Sequence, residues 1–129
     1  MPPDAPLPTD AELAILRTLW TDGPATVREV QDGLDTDQGY TTVLKHLQIM
    51  LEKGLVTRDE SGRAHVYAAH RAEADTQRRL VRDLLDRAFG GSARQLVMRV
   101  LSTEDVSREE LDQIRDLLDQ IDDDPDDEA

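Results

Sequence analysis

The sequence predicts a mainly α-helical fold with a small β-hairpin: a winged helix-turn-helix followed by a C-terminal three-helix dimerisation segment. Three observations lead there. Three short amphipathic segments fill residues 9–53, the second and third separated by a polar turn. Two β-prone runs follow at once, split by a loop that contains a glycine. Beyond residue 71 the apolar side chains recur only at helical spacing.

Met1 to Pro8 holds four prolines and reads as a loose, disordered arm. Thr9-Asp10-Ala11-Glu12 is a capping-box sequence, in which hydroxyl and carboxylate satisfy the amides that a helix start leaves free. Leu13, Leu16, Leu19 and Trp20 follow on one helix, which Gly23-Pro24 ends. A second box, Thr26-Val27-Arg28-Glu29, opens a short helix with Val27, Val30 and Leu34 on one side, and Asp35 to Gly39 forms a turn. The third helix spans about Tyr40 to Lys53, with Gly54 placed for its C-terminal cap. Val43, Leu44, Leu47, Met50 and Leu51 fall on one arc, and Thr41, Thr42, Lys45, Gln48 and Ile49 on the other. Strands are expected at Leu55–Arg58 and Ala64–Ala68 around an Asp59–Arg63 loop.

The remainder is helical. A helix from about Ala72 to Phe89 carries Leu80, Leu84, Leu85 and Ala88 and stops at Gly90-Gly91. Ser92 caps a helix bearing Leu96, Val97, Val100 and Leu101. Behind a third capping box, Ser107-Arg108-Glu109-Glu110, Leu111, Ile114, Leu117, Leu118 and Ile121 recur at about 3.5 residues, which suits helix–helix packing. Three helices of this length cannot bury all these faces among themselves, so a second copy is expected to cover them. The dimerisation face is assigned to Leu80, Leu84, Leu96, Val100, Leu111, Ile114, Leu118 and Ile121. The expected divisions are an arm at 1–8, a winged-helix domain at 9–71, a dimerisation segment at 72–121 and a disordered acidic tail at 122–129.

Composition narrows the function. The 129 residues are 38% hydrophobic but only 3% aromatic, so the core must be built from Leu, Val, Ile and Ala, and self-association would add burial. The absence of cysteine excludes disulfides, thiolate metal sites and cysteine nucleophiles. No apolar run approaches the roughly 20 residues a membrane helix needs, and no secretory leader is recognisable at the start, so a soluble cytoplasmic protein without membrane insertion is expected. The net charge of −13 is unusual for a nucleic-acid binder. Its distribution matters more than its sum: residues 39–71 hold 5 basic and 3 acidic side chains, net +2, together with all three histidines.

That stretch contains the chemistry. The second helix of a helix-turn-helix enters the DNA major groove, with base contacts near its N-terminus. Here it begins Tyr40-Thr41-Thr42, followed by Lys45 and His46. Threonine hydroxyls reach bases or phosphates, their methyls suit thymine, and Lys45 suits phosphate or guanine. The competing reading is that Thr41 and Thr42 only cap the helix and Lys45 is merely solvated. Arg63, beside Gly62 at the wing tip, can reach a minor groove or a phosphate, and Arg28 is a weaker candidate for backbone phosphate. His65 and His70 match no metal-ligand spacing, and no nucleophile triad, carboxylate pair or phosphate loop is present, so neither cofactor, metal nor enzyme is expected. The other class in play is a winged helix that binds protein instead of DNA, which the acidity favours.

Gly39-Tyr40-Thr41-Thr42-Val43-Leu44-Lys45-His46-Leu47, continuing through Leu51-Glu52-Lys53-Gly54-Leu55-Val56, resembles the recognition helix of the penicillinase-repressor (BlaI/MecI/CopY-like) family. The wing Ser61 to Tyr67, the stretch Leu13 to Trp20 and the run Leu84 to Ser92 extend the resemblance over about Leu7 to Ile121. The resemblance implies a dimer that represses transcription by binding palindromic double-stranded operator DNA. In some members a membrane sensor protease triggers cleavage in the dimerisation segment. The equivalent bond lies near Arg99-Val100, where this chain lacks the asparagine–phenylalanine pair of cleaved members. Copper-responsive relatives use a cysteine-bearing tail, which is absent here.

Overall fold

The helix starts follow from short-range side-chain chemistry. The computed structural model describes residues 6–102 and 106–122. At the head of α1 (Asp10–Asp22), Thr9 Oγ1 accepts from the Glu12 amide at 3.2 Å while Glu12 Oε1 accepts from the Thr9 amide at 2.9 Å. Thr26 and Glu29 make the same exchange at α2 (Val27–Gly33), at 3.2 and 2.9 Å. Both capping boxes form as the sequence predicts. Leu34, expected on the second helix, is instead its C-cap and packs half-buried against the core. In α3 (Tyr40–Lys53) the N-cap is Gly39, without a side-chain hydrogen bond, and Gly54 closes the helix at a φ of 81°.

The hairpin is displaced from its expected position. β1 (Val56–Asp59) pairs antiparallel with β2 (Val66–Ala69), Val56 opposite Ala69 and Asp59 opposite Val66. Leu55 starts no strand because its amide is still held by the Met50 carbonyl at 2.9 Å. The turn begins after Asp59, whose Oδ1 accepts from the Ser61 amide at 2.8 Å. The connecting loop is therefore Glu60 to His65, not Asp59 to Arg63. Ala25 adds a bridge to β2: its amide donates to the Tyr67 carbonyl at 2.9 Å, and its carbonyl accepts from the Tyr67 amide at 2.8 Å. The loop-side half of β2 is thus tied to the segment leading into α2.

One core holds these parts. Ile15, Leu16 and Leu19 of α1, Val27 and Val30 of α2, and Val43, Leu47 and Met50 of α3 meet Val56 and Tyr67 from the hairpin. Tyr67 is the bulkiest fully buried side chain and does the filling that the scarcity of aromatics leaves to few residues. Burying each such aliphatic side chain contributes about 1.5–3 kcal/mol. Trp20 borders this core and donates from Nε1 to the Arg71 carbonyl at 3.0 Å, and Thr76 of α4 (Glu73–Ala88) is buried.

The chain divides into two compact units, one ending at Val81 and the other beginning at Arg82, so the boundary falls inside α4. In the second unit α4 gives way to Gly90 and Gly91, both at positive φ, where the Gly91 amide donates to the Leu85 carbonyl at 2.9 Å. Ser92 caps α5 (Ala93–Leu101) through Oγ and the Gln95 amide, and Ser107 Oγ accepts from Glu110 at the start of α6 (Arg108–Asp122). Asp122, expected to open the acidic tail, is the last residue of α6. Residues 1–5 of the expected arm and 123–129 of the expected tail lie outside the described residues. Neither α5 nor α6 contains a buried side chain.

Candidate nucleic-acid interface

α3 has two unlike sides. Val43, Leu47 and Met50 are 0% exposed and lock the helix to the core, while Thr41, Thr42, Lys45 and Gln48 are exposed on the other side. Rotation about the axis is therefore fixed by packing, and the polar face is held outward by the opposite arc. Thr41 and Thr42 do not cap the helix. Gly39 takes that position, so the two threonines stand within the first turn with their side chains outward. Since no side chain caps this end, the first-turn amides keep their donors for an outside acceptor.

Tyr40, 45% exposed, opens the helix, and the Arg28 guanidinium lies 5.9 Å from the centre of its ring. His46 differs from its neighbours. It is half-buried, and its Nδ1 is buried without a hydrogen-bond partner. Arg63 is exposed in the hairpin loop, whose base is set by Asp59. Hydrogen bonds from Ser61 hold the Asp59 carboxyl below the ordinary aspartate range. Arg58, on β1, is engaged with Glu60.

Between the start of α3 and the hairpin loop lies an open cleft of about 540 Å³. Val27, Leu44 and Tyr67 contribute apolar lining, and Arg28, Tyr40, Arg63 and His65 contribute polar groups. The structure thus brings Tyr40 and Arg63 to one place, whereas Thr41, Thr42 and Lys45 lie outside the cleft on α3. Sequence reasoning gave Arg28 little weight and His65 no part in this site. Arg28 follows the Thr26 cap by two positions, which marks it as first-turn and outward, but nothing local shows that Tyr40 lies beside it. Among the described residues no three His, Asp or Glu side chains gather as metal ligands, and no helix is long and apolar enough to cross a membrane.

The residues expected on a dimer face are distributed between half-buried and exposed. Leu80, Leu96, Leu111 and Ile114 are half-buried, while Leu84, Val100, Leu118 and Ile121 are exposed, the last three at 45%, 55% and 49%. Val97, Met98, Leu101 and Leu117 add to the exposed apolar surface of the second unit.

Comparison with known proteins finds similarity over nearly the whole length. The family model described as penicillinase repressor matches residues 8–120. The transcriptional regulator BlaI of Mycobacterium tuberculosis is 35% identical over 109 residues, covering 82% of this chain and 78% of the relative. The penicillinase repressor of Bacillus licheniformis is 24% identical over 114 residues, covering 87% and 89%. Among solved structures, the monomeric form of Bacillus licheniformis BlaI in complex with the blaP half-operator is 26% identical, with a TM-score of 0.49 over 56% of this chain and 90% of that one.

Proposed function

The chain belongs to the penicillinase repressor family, and from that premise we propose that it is a DNA-binding repressor of transcription without enzymatic activity. It acts as a homodimer that sets two α3 helices in successive major grooves of a palindromic operator, about 34 Å apart. The observation that carries the reading is the division of α3, with Thr41, Thr42, Lys45 and Gln48 held outward by the fully buried Val43, Leu47 and Met50. Threonines 41 and 42 read base edges, Lys45 meets phosphate or guanine, and Arg63 extends the footprint from the hairpin loop. His46, half-buried, contributes chiefly by seating the helix.

Dimerisation rests on the second unit. Apolar side chains such as Val100, Leu118 and Ile121 are about half exposed in the single chain, and an apolar surface of this kind marks an interaction site. Acting on DNA, the protein works in the cytoplasm. A membrane sensor protease is a further proposed partner, but cleavage at Arg99-Val100 forms no part of the proposal, because the asparagine–phenylalanine pair of cleaved members is missing there.

A titration of fluorescence anisotropy tests the reading, using DNA from upstream of the protein's own gene against scrambled DNA at several salt concentrations. Tighter binding to the upstream DNA, weakening with salt, is expected. Binding to neither at low salt would favour the other reading, a protein-binding winged helix, for which the net charge of −13 and the exposed Asp35, Asp37 and Glu52 speak.

A further inference from the structure

We infer that the cleft between the start of α3 and the hairpin loop seats a phosphate of the DNA backbone, and that Arg28 of α2 is its principal ligand. This rests on the DNA-binding reading and extends it to an element outside the recognition helix and the wing.

The first ground is charge. In a chain with 28 acidic residues, this cleft is lined by Arg28, Arg63 and His65 and by no carboxylate. Glu29, next to Arg28, is turned to the Thr26 amide, which donates to its Oε1 at 2.9 Å. Among the described residues neither Arg28 nor Arg63 is held in an ion pair, whereas Arg58 on the same hairpin as Arg63 is engaged with Glu60. Two guanidiniums are thus left with their donors for an outside anion, at a place the general acidity avoids.

The second ground is orientation. The Arg28 guanidinium lies 5.9 Å from the centre of the Tyr40 ring, within the range of a cation–π contact. A guanidinium steadied by an aromatic ring keeps its edge donors available, and their planar fork matches two oxygens of one phosphate. Tyr40 also starts α3, whose uncapped first-turn amides supply further donors beside it. A base is the wrong ligand here, because Thr42 and Lys45, which read the groove, lie outside the cleft.

The test is the salt dependence of binding by the full chain, measured by anisotropy on upstream and scrambled DNA for wild type, Arg28→Gln and Arg28→Lys. Arg28 is exposed, so Arg28→Gln should melt like wild type. The slope of log affinity against log salt should fall in magnitude by about 0.9 in Arg28→Gln, with both DNAs weakened by the same factor, while Arg28→Lys keeps most of the slope. An unchanged slope in Arg28→Gln, or a loss confined to upstream DNA, overturns the phosphate assignment and leaves the repressor reading standing. Failure of wild type to bind either DNA removes both.

Discussion

Lys53 Nζ lies 2.8 Å from Glu12 Oε2, joining the last turn of α3 to the first turn of α1 across 41 positions of sequence. The Glu12 side chain is 4% exposed and that of Lys53 31%. The same carboxylate accepts from the Thr9 amide, so one group both caps a helix and ties two helices together. Burial pushes the Glu12 carboxyl up, but the hydrogen bonds from Lys53 and Thr9 outweigh it and hold the pKa below the ordinary glutamate range.

Removing the cation should therefore cost more than losing a surface ion pair. Lys53→Met leaves a buried carboxylate without its partner, and a loss of about 2 kcal/mol is expected. The sign with pH follows from the depressed pKa: the stabilisation is present above the unfolded-state value and lost as pH falls through the folded one. Urea unfolding of both proteins should show the largest gap at neutral pH, closing once Glu12 is protonated. A gap that does not change with pH would mean the lysine acts through its methylenes alone.

Gly33 presents a packing test. A Cβ built there would lie 2.8 Å from Thr18 Cγ2 and 3.2 Å from Asp22 Oδ2. Alanine is the better helix former by about 1 kcal/mol, but overpacking costs about 1–3 kcal/mol, and Thr18 is buried and stiff at χ1. Gly33→Ala should lower the melting temperature, and adding Thr18→Ser, which removes the obstructing methyl, should restore it. Equal destabilisation in the single and double variants would place the cause elsewhere.

Lys45 and Thr42 should separate affinity from preference. Lys45→Ala is expected to weaken upstream and scrambled DNA alike, reducing the salt slope by about 1. Thr42→Ala should narrow the difference between the two DNAs by about 1 kcal/mol. Competition anisotropy measures both. If neither substitution alters binding, α3 is not the reading element.

Leu118 is 55% exposed, so a charged substitution should matter little to a lone chain. In a dimer, Leu118→Glu buries an unpaired carboxylate twice by symmetry, at about 2 kcal/mol or more. Sedimentation equilibrium should find the wild type dimeric and Leu118→Glu shifted toward monomer. Identical masses would remove Leu118 from any interface.

What could be read from the sequence was whatever lies within a few residues of its cause. Thr9 and Glu12, or Thr26 and Glu29, are three positions apart, and their spacing alone predicts the caps. The buried arc of α3 follows from its apolar period, and Gly54 from its place after Lys53. Three relationships were not legible: Lys53 with Glu12, Ala25 with Tyr67, and Arg28 with Tyr40. Each depends on which segments the core brings together, and neither partner carries a local mark of the other. Thr41 and Thr42 suggested a cap because threonine favours that position, yet Gly39, two residues earlier than Thr41, occupies it. The strand ends moved because Leu55 was still bonded to the preceding helix and Asp59 set the turn.

The bridge between Ala25 and Tyr67 has an evolutionary consequence. It fixes β2, two residues past the loop, to the buried part of the molecule, while all six residues from Glu60 to His65 stand exposed beyond it. Stability is thus secured in the strands, and the loop between them adds only local contacts at Glu60 and Ser61. Mutations in the loop are screened by what the tip meets, not by whether the chain folds. The same scaffold can therefore vary what its loop touches by drift in the remaining loop positions, with its core inherited unchanged.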